Sequence, residues 1–575
     1  MEGVFSFIVC IQNKVMTTSY EFKVHERPFM AGSPATPDHP IRRKIWYGII
    51  GLLVGLTAGF TNGLMLVNLP QIQGFLGLTP LEGGWIQVSY YLFSAIISVM
   101  LFKIRQNFGL GRFVRYLIIG LIGTNALQFF FHTYHTELVA RGVSGLVGGS
   151  LNSLSMYYMM QAMPAIHRGK GMVLGLGLTQ LSQPLARFIS PLMLQHEQFQ
   201  LIFSFQAGLA LMVCAAVWLL PIPPGFINKT FEKLDLVSFP LMATGIACIS
   251  AAATQGRIVW WDKSWIGWLV VIGFICCMLS VIIEYNRTSP MFDIKFMLHG
   301  NGMLQVAVFG SLIRMALSEQ NMGAPGLLTS VGFGTDQMIT FYMIVSCGAL
   351  LGLIVSFLTF QITEIKLPLM ISFALIALAS FIEVGQNQWS GPANFYLPEF
   401  MIAFASLYFF GPVMMEGIFR AVSKGPAYIM SFSAAFGFSQ TVGGLIGSAI
   451  INAFVTIRTR IHLINGADSA NLTDPIVNQL IQSKTNALTA FSSDAVWNKA
   501  YGLSQVVKQD SLQAQIAAYN DLFVFIGILS LVCFLIVGAQ WLWYKAHHTH
   551  PLEQQLKAFM EVRQKGMQDV SQIIK

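Results

Sequence analysis

Along most of this chain, apolar residues run in stretches of about twenty, the length a helix needs to cross some 30 Å of hydrocarbon. Such stretches lie near 46–68, 85–103, 114–131, 138–163, 171–194 and 199–221, then at 236–255 and 265–284. Six more follow near 303–328, 336–360, 367–385, 395–416, 427–455 and 521–544, so the pattern predicts an all-α integral membrane protein with fourteen spans. The expected organisation is an amino-terminal arm over 1–45, a six-helix unit over 46–221, a linker with an extra hairpin over 222–295, a second six-helix unit over 296–544 and a tail over 545–575. Within the second unit, 456–520 is rich in Asn, Gln, Ser and Ala, and its pattern predicts a folded helical hairpin outside the membrane.

An even number of spans places both termini on one side, and Lys and Arg in short loops mark that side as cytoplasmic or not. One set of alternate loops holds Lys103, Arg105, Arg112 and Arg115, then Arg168 and Lys170, Lys229 and Lys233, Arg287 and Lys295, Lys366, Arg420 and Lys424. The other short loops hold Arg257 and Lys263. Both termini are therefore expected in the cytoplasm and 456–520 outside, for a chain resident in the cell (inner) membrane. Composition agrees: 54% of the 575 residues are hydrophobic and 10% charged, against roughly 25% charged in an ordinary soluble domain. The net charge of +8 is then a matter of topology, not a nucleic-acid footprint.

Candidate chemistry is sparse. Cys214, Cys248, Cys276, Cys277, Cys347 and Cys533 lie in apolar segments without metal spacing, and are read as small core residues. No metal or cofactor is expected; His547, His548 and His550 belong to a solvated tail. The polar start, ending in Arg42, Arg43 and Lys44, lacks the order of a removable signal. Glycines at four-residue spacing, such as Gly51, Gly55 and Gly59, Gly145 and Gly149, Gly171 and Gly175, and Gly443 and Gly447, predict close helix packing in lipid.

Several local motifs occur in a distinctive order: L-V-N-L-P-Q-I ending at Ile72, G-W-I-Q-V-S-Y from Gly84, R-G-V-S-G-L-V-G-G from Arg141, E-Y-N-R-T-S-P-M-F-D from Glu284 and A-Y-N-D from Ala518. With the span count and the hairpin opened by Asp235 and joined through Trp260, Trp261 and Asp262, the chain resembles the fourteen-helix drug:proton antiporter branch of the major facilitator superfamily, the EmrB/QacA-like exporters. The resemblance implies two six-helix bundles around a central cavity, with a site near the midplane between the repeats. It implies a role in proton transfer or substrate binding for Arg141. Partnership with a periplasmic adaptor and an outer-membrane channel is likewise implied by resemblance alone. Departures are plain. Thr61 stands where the family has an acid, Gln106, Asn107, Phe108 and Gly109 replace Asp-Arg-x-Gly, Gln183-Pro184-Leu185-Ala186-Arg187 replaces a Gly-Pro-rich motif, and Gln440 stands for an Arg.

A charged residue at the bilayer centre costs roughly 2.5–3.5 kcal/mol on insertion scales, so it faces a cavity or a partner. Arg141, Arg187, Arg314 and Glu319 are the candidates for the substrate and proton path, joined by Asn62 and Gln440. Arg314 and Glu319, five residues apart, point about 140° apart on a helix and are no local ion pair. Glu319 is the expected proton carrier of the second half. Glu383 and Glu399 are placed nearer the external boundary. Glu416 and Arg420, at i,i+4, are expected to form an ion pair or gate latch, and Pro184 and Pro412 to kink their helices.

No nucleotide-binding G-x-x-x-x-G-K-[ST] sequence occurs. The leading expectation is a secondary exporter of amphipathic small molecules driven by protons, and not an enzyme. The three arginines point to substrates with an anionic or strongly accepting group. Coupled uptake of an anionic metabolite is the alternative, and a non-transporting sensor or membrane enzyme the remote one.

Overall fold

The computed structural model describes residues 33–164, 167–194, 200–225, 232–287, 290, 293–298, 303–361, 364–422, 424, 428–469, 475–488 and 494–547. Most of the amino-terminal arm, Lys229, His548, His550 and the rest of the tail, and parts of the 456–520 segment lie outside them. Every regular element among the described residues is helical.

The first unit opens with α1 (Ile41–Val67) and the short α2 (Leu69–Leu76), followed by α3 (Pro80–Phe108), α4 (Leu110–Phe130), α5 (Tyr134–Ala162), α6 (Arg168–Leu194) and α7 (Gln200–Leu219). Thr79 starts α3 through a capping box with Glu82, Pro80 occupying the first turn where its missing N–H costs nothing. The small-residue stripes act as expected. A methyl group on Gly55 would stand 2.6 Å from Ser155 Oγ and 2.9 Å from Leu178 Cβ, so α1 packs directly on α5 and α6. Ser155 Oγ donates to Gly51 O at 2.8 Å, turning that close approach into a hydrogen bond.

The hairpin consists of α8 (Asp235–Val259) and α9 (Ser264–Tyr285). Helix α9 leaves Phe274, Ile275 and Leu279 exposed, as a lipid-facing helix requires. A buried ion cluster fastens the base of the hairpin. Lys103 Nζ, at the end of α3, lies 2.6 Å from Asp235 Oδ1, and Arg287 lies 2.7 Å from both Asp235 and Glu232 and 3.2 Å from Glu284. Two residues of the E-Y-N-R motif, Glu284 and Arg287, thus serve to hold the hairpin.

The second unit contains α10 (Ile294–Leu298), α11 (Met303–Ala316), α12 (Glu319–Met322), α13 (Ala324–Val331), α14 (Ile339–Thr359), α15 (Lys366–Ile382), α16 (Tyr396–Tyr408), α17 (Phe410–Val422), α18 (Tyr428–Ser469), α19 (Pro475–Leu488) and α20 (Ala495–Ala546). Helix α8 packs against α3 of the first unit and α18 of the second, while α6 and α14 join the units elsewhere.

Four expectations are corrected here. The stretch 303–328 is not one helix but α11, α12 and α13, because Pro325 lacks the N–H that would continue the ladder. The stretch 395–416 is interrupted at Phe409, three residues before Pro412, whereas α6 runs unbroken through Pro184. Arg257 is not a loop residue, since α8 continues to Val259. Finally, α18 and α20 extend far into 456–520, so that segment is built on continuations of membrane helices. Among the described residues eight spans have both the length and the apolarity to cross a bilayer, one of them made by α16 and α17 together. Helices α3, α5, α6 and α18 are also long and cover expected stretches.

Candidate functional site

Arg141 sits about two turns into α5, on the face that packs against α1 and α3. Its Nη1 donates to Thr61 O at 2.9 Å and its Nη2 to Asn62 Oδ1 at 2.7 Å, and the guanidinium lies 4.5 Å from the centre of the Tyr90 ring. The expected path residues Arg141 and Asn62 are therefore in contact. Thr61, standing where the family has an acid, donates its own hydroxyl to Thr57 O at 2.6 Å and offers Arg141 a carbonyl. One turn before Arg141, Glu137 is buried and accepts from Gln128 Nε2 at 2.8 Å. Placing the start of this span at 138 hid Glu137 from the sequence reading, although its i,i+4 spacing to Arg141 was visible.

The break in the second unit holds a different arrangement. At Gly323 the backbone turns, and Glu319 Oε1 accepts from Ala324 N at 3.1 Å, supplying the acceptor that a continuous helix would have provided. A methyl on Gly323 would stand 2.8 Å from Glu319 Cγ, so any larger residue here would have to displace the Glu319 side chain. Glu383, just past α15, and Glu399 of α16 come to the same place. All three carboxyl groups are 0% exposed, and one oxygen from each lies within 4.8 Å of the others. Glu383 follows the end of α15 and Glu399 lies in the first turn of α16, so the cluster forms where these two helices meet the break. Glu319 Oε2 and both Glu383 oxygens have no hydrogen-bond partner among the described residues.

Two features brace this cluster. Arg187 crosses from α6 to the break, donating to Asn321 Oδ1 at 2.6 Å and Gln320 O at 3.3 Å, with its guanidinium 5.6 Å from the Tyr342 ring centre. It bridges the two units, and it lies near enough to Glu399 to act on it electrostatically. On the far side, Asn520 of the A-Y-N-D motif accepts at 2.9 Å from both Gly385 N and Gln386 N, holding the turn that follows Glu383. The adjacent Asp521 binds Arg458 at 2.6 Å and His462 at 2.7 Å.

Arg314 lies on α11 against α18. The two helices run side by side: a methyl on Gly310 would stand 3.8 Å from Gln440 Nε2, one on Gly444 would stand 3.3 Å from Arg314 Nε, and one on Gly447 would stand 2.7 Å from Ser318 Oγ. Arg314 and Gln440 thus occupy neighbouring levels of one interface. The Gln440 amide has neither its oxygen nor its nitrogen hydrogen-bonded, and the Arg314 guanidinium makes no hydrogen bond or salt bridge, among the described residues. No carboxylate among the described residues pairs with it. At the opposite end of this unit, Glu416 and Arg420 pair at 2.6 Å, both side chains largely buried. Lys366 donates to Gln540 Oε1 close by, at 2.9 Å.

Apolar helices arranged as two units and a hairpin, with charged side chains turned inward, define a multi-pass membrane transporter. Residues 51–448 match the family model described as Major Facilitator Superfamily, and the chain belongs to that family. It is 22% identical over 492 residues to the uncharacterised MFS-type transporter YhcA of Bacillus subtilis, covering 83% of this chain and 89% of YhcA. It is 22% identical to the multidrug export protein EmrB of Haemophilus influenzae, covering 81% of this chain and 91% of EmrB. With the probable multidrug resistance protein EmrY of Escherichia coli it shares 20% identity, over 88% of this chain and 98% of EmrY. Two solved structures show the same fold, each at a TM-score of 0.50 and 12% identity: tetrameric PepTSo2, over 88% of this chain and 99% of that one, and the proton:xylose symporter XylE, over 87% and 96%.

Proposed function

We propose that this chain is a proton-coupled exporter of amphipathic small molecules carrying an anionic or strongly hydrogen-bond-accepting group. The observation that carries the reading is the separation of charge along one broken helix. Arg314, with Gln440 beside it, offers an uncompensated guanidinium and a free amide. Five residues along the same chain, about 7.5 Å at the roughly 1.5 Å rise per residue, Glu319 gathers with Glu383 and Glu399 around the break. A guanidinium in a poorly hydrated site favours a carboxylate or similar oxyanion over a neutral or cationic head group. Three carboxylates so close repel one another, and a proton taken up by the group relieves that repulsion.

Broken helices at the midplane are where secondary transporters place their sites, because irregular backbone is tolerated only where protein or water covers it. Substrate binding beside Arg314 and proton binding at Glu319 act on opposite ends of one short segment. Arg187, reaching Gln320 and Asn321 from the other unit, ties that segment to the relative position of the two units. Export, as opposed to uptake, is supported by the naming of EmrB and EmrY as multidrug proteins. We further assign both termini to the cytoplasm and the polar ends of α18 and α20, with α19, to the outer face, where a periplasmic adaptor would dock. Val496, which is 81% exposed, tests the orientation: a cysteine there should react with an impermeant reagent applied to intact cells.

The deciding measurement is proton movement in inverted vesicles with an acidified lumen. Adding 2-naphthoate to the outside should discharge the pH gradient in vesicles carrying this protein and not in vesicles without it. No discharge by naphthoate, together with discharge by a lipophilic cation, would overturn the substrate class. Discharge by neither would overturn proton-coupled export.

A further inference from the structure

A fourth guanidinium of this kind comes from the accessory hairpin. Arg257 lies in the last turn of α8 and reaches helices of both units, with Nη2 3.4 Å from Gln87 Oε1 of α3 and Nη1 3.8 Å from Met322 Sδ of α12. Both neighbours are neutral, both contacts are long, and no carboxylate acts on Arg257 or on Arg314 among the described residues. The group that does act on both is the Tyr91 phenol of α3.

Packing explains why. Tyr91 sits against Ala253 of α8 and against Leu445 and Ala449 of α18. One helical turn beyond Ala253 is Arg257, and the residue before Leu445 is Gly444, against which Arg314 rests. Tyr91 therefore packs between the stretch of α8 that leads to Arg257 and the stretch of α18 beside Gly444, against which Arg314 rests. Arg141, also near Tyr91, is already satisfied by Thr61 and Asn62. Arg257 has two long contacts to neutral groups, and Arg314 has no carboxylate partner among the described residues. Two like charges that are part-exposed and have no carboxylate partner among the described residues favour an anion that would offset both.

We propose that Arg257 is a specificity-determining residue, which with Arg314 and Tyr91 forms one recognition site for the oxyanion head group of an amphipathic substrate. The site is shared by the hairpin and both six-helix units. The hairpin is then part of the substrate path and not a spacer, and the ion cluster at Lys103, Asp235 and Arg287 fixes the helix that delivers Arg257. Tyr91 contributes a hydroxyl that donates to the bound anion and a ring that covers the apolar body beside it. This rests on the anionic-substrate reading above and extends it to a residue that reading does not need.

The test uses the full chain in lipid nanodiscs and two isosteric probes, 2-naphthoate and neutral 2-naphthamide, with binding read by calorimetry. The unmodified protein should prefer naphthoate. R257Q should weaken naphthoate about tenfold, as expected for loss of one charge-assisted contact, and naphthamide less than about twofold, with R257K recovering part of the loss. R314Q should behave similarly, and the double variant should show no preference. If R314Q is selective while R257Q weakens both probes equally, or neither, Arg257 is only a packing residue: this inference fails and the anionic-substrate reading survives. An unmodified protein that binds naphthoate no better than naphthamide overturns both.

Discussion

Arg141 and Arg314 are the same chemical group, both in the interior of a membrane protein, and they are treated in opposite ways. Arg141 is held by a carbonyl, an amide oxygen and an aromatic face, all from the first unit. Arg314 rests against a glycine, with an unpartnered glutamine at the neighbouring level. The first unit uses its guanidinium to join α5 to α1, and the second leaves its guanidinium available. Carboxyl groups follow the same division: Glu137 has its Gln128 donor, whereas Glu383 has none among the described residues. A membrane charge is therefore not informative by itself. What it touches decides whether it serves structure or transport.

That contrast can be broken most decisively at Glu319. E319Q should reduce gradient-driven accumulation in proteoliposomes to the level of protein-free liposomes, with naphthoate binding retained. Unchanged coupled accumulation would return Glu319 to the role of a helix cap.

The two arginines should separate next. R141A leaves Thr61 O and Asn62 without their charged donor and should lower stability by about 2–3 kcal/mol, the range for a hydrogen-bonded charged group. R314A should change it by less than about 0.5 kcal/mol, as a position without such contacts does. Thermal unfolding of the purified variants in one detergent measures both; equal losses would erase the distinction between them.

A smaller effect is expected at Gly323. G323A pushes a methyl group against the Glu319 carboxyl, so coupled accumulation should fall partially while binding of naphthoate at Arg314 stays within twofold, about the precision of a calorimetric constant. A matching loss of binding would mean that the break and the arginine site are one unit. The smallest effect belongs to the Glu416–Arg420 pair. Replacing both by glutamine should cost about 0.5 kcal/mol or less in the same unfolding assay, the usual worth of an i,i+4 pair. A loss several times larger would make it a latch between states.

Much of this was legible in the sequence. Runs of apolar residues located the helices, the glycine stripes located the tight contacts of α1 with α5 and α6, and Arg141 and Asn62 were both named as path residues, without the contact between them. What escaped depended on boundaries or on distance in space. Arg257 was placed in a loop and Glu137 outside a span, because an apolar run does not mark where a helix continues past the hydrocarbon. The break at Gly323 had a local signal, the polar run Ser318-Glu319-Gln320-Asn321 followed by Gly323 and Pro325, which the apolar residues on either side absorb into one expected span. The meeting of Glu319, Glu383 and Glu399 joins parts of the chain up to 80 positions apart, and no local pattern encodes it.

The length of α18 and α20 has a mechanical consequence. At 42 and 52 residues they are continuous, about 63 and 78 Å at 1.5 Å per residue, or at least twice the hydrocarbon thickness. Each is a single rod whose inner section lies in the transport unit and whose outer section carries the polar lobe, and Arg458 and His462 rivet the two rods together through Asp521. A rocking of the second unit by about 10° would swing a point some 30 Å further along such a rod by about 5 Å. The lobe is thus a pointer fixed to the moving half, and distances measured from it to the first unit would read out each stroke of the cycle from outside the bilayer.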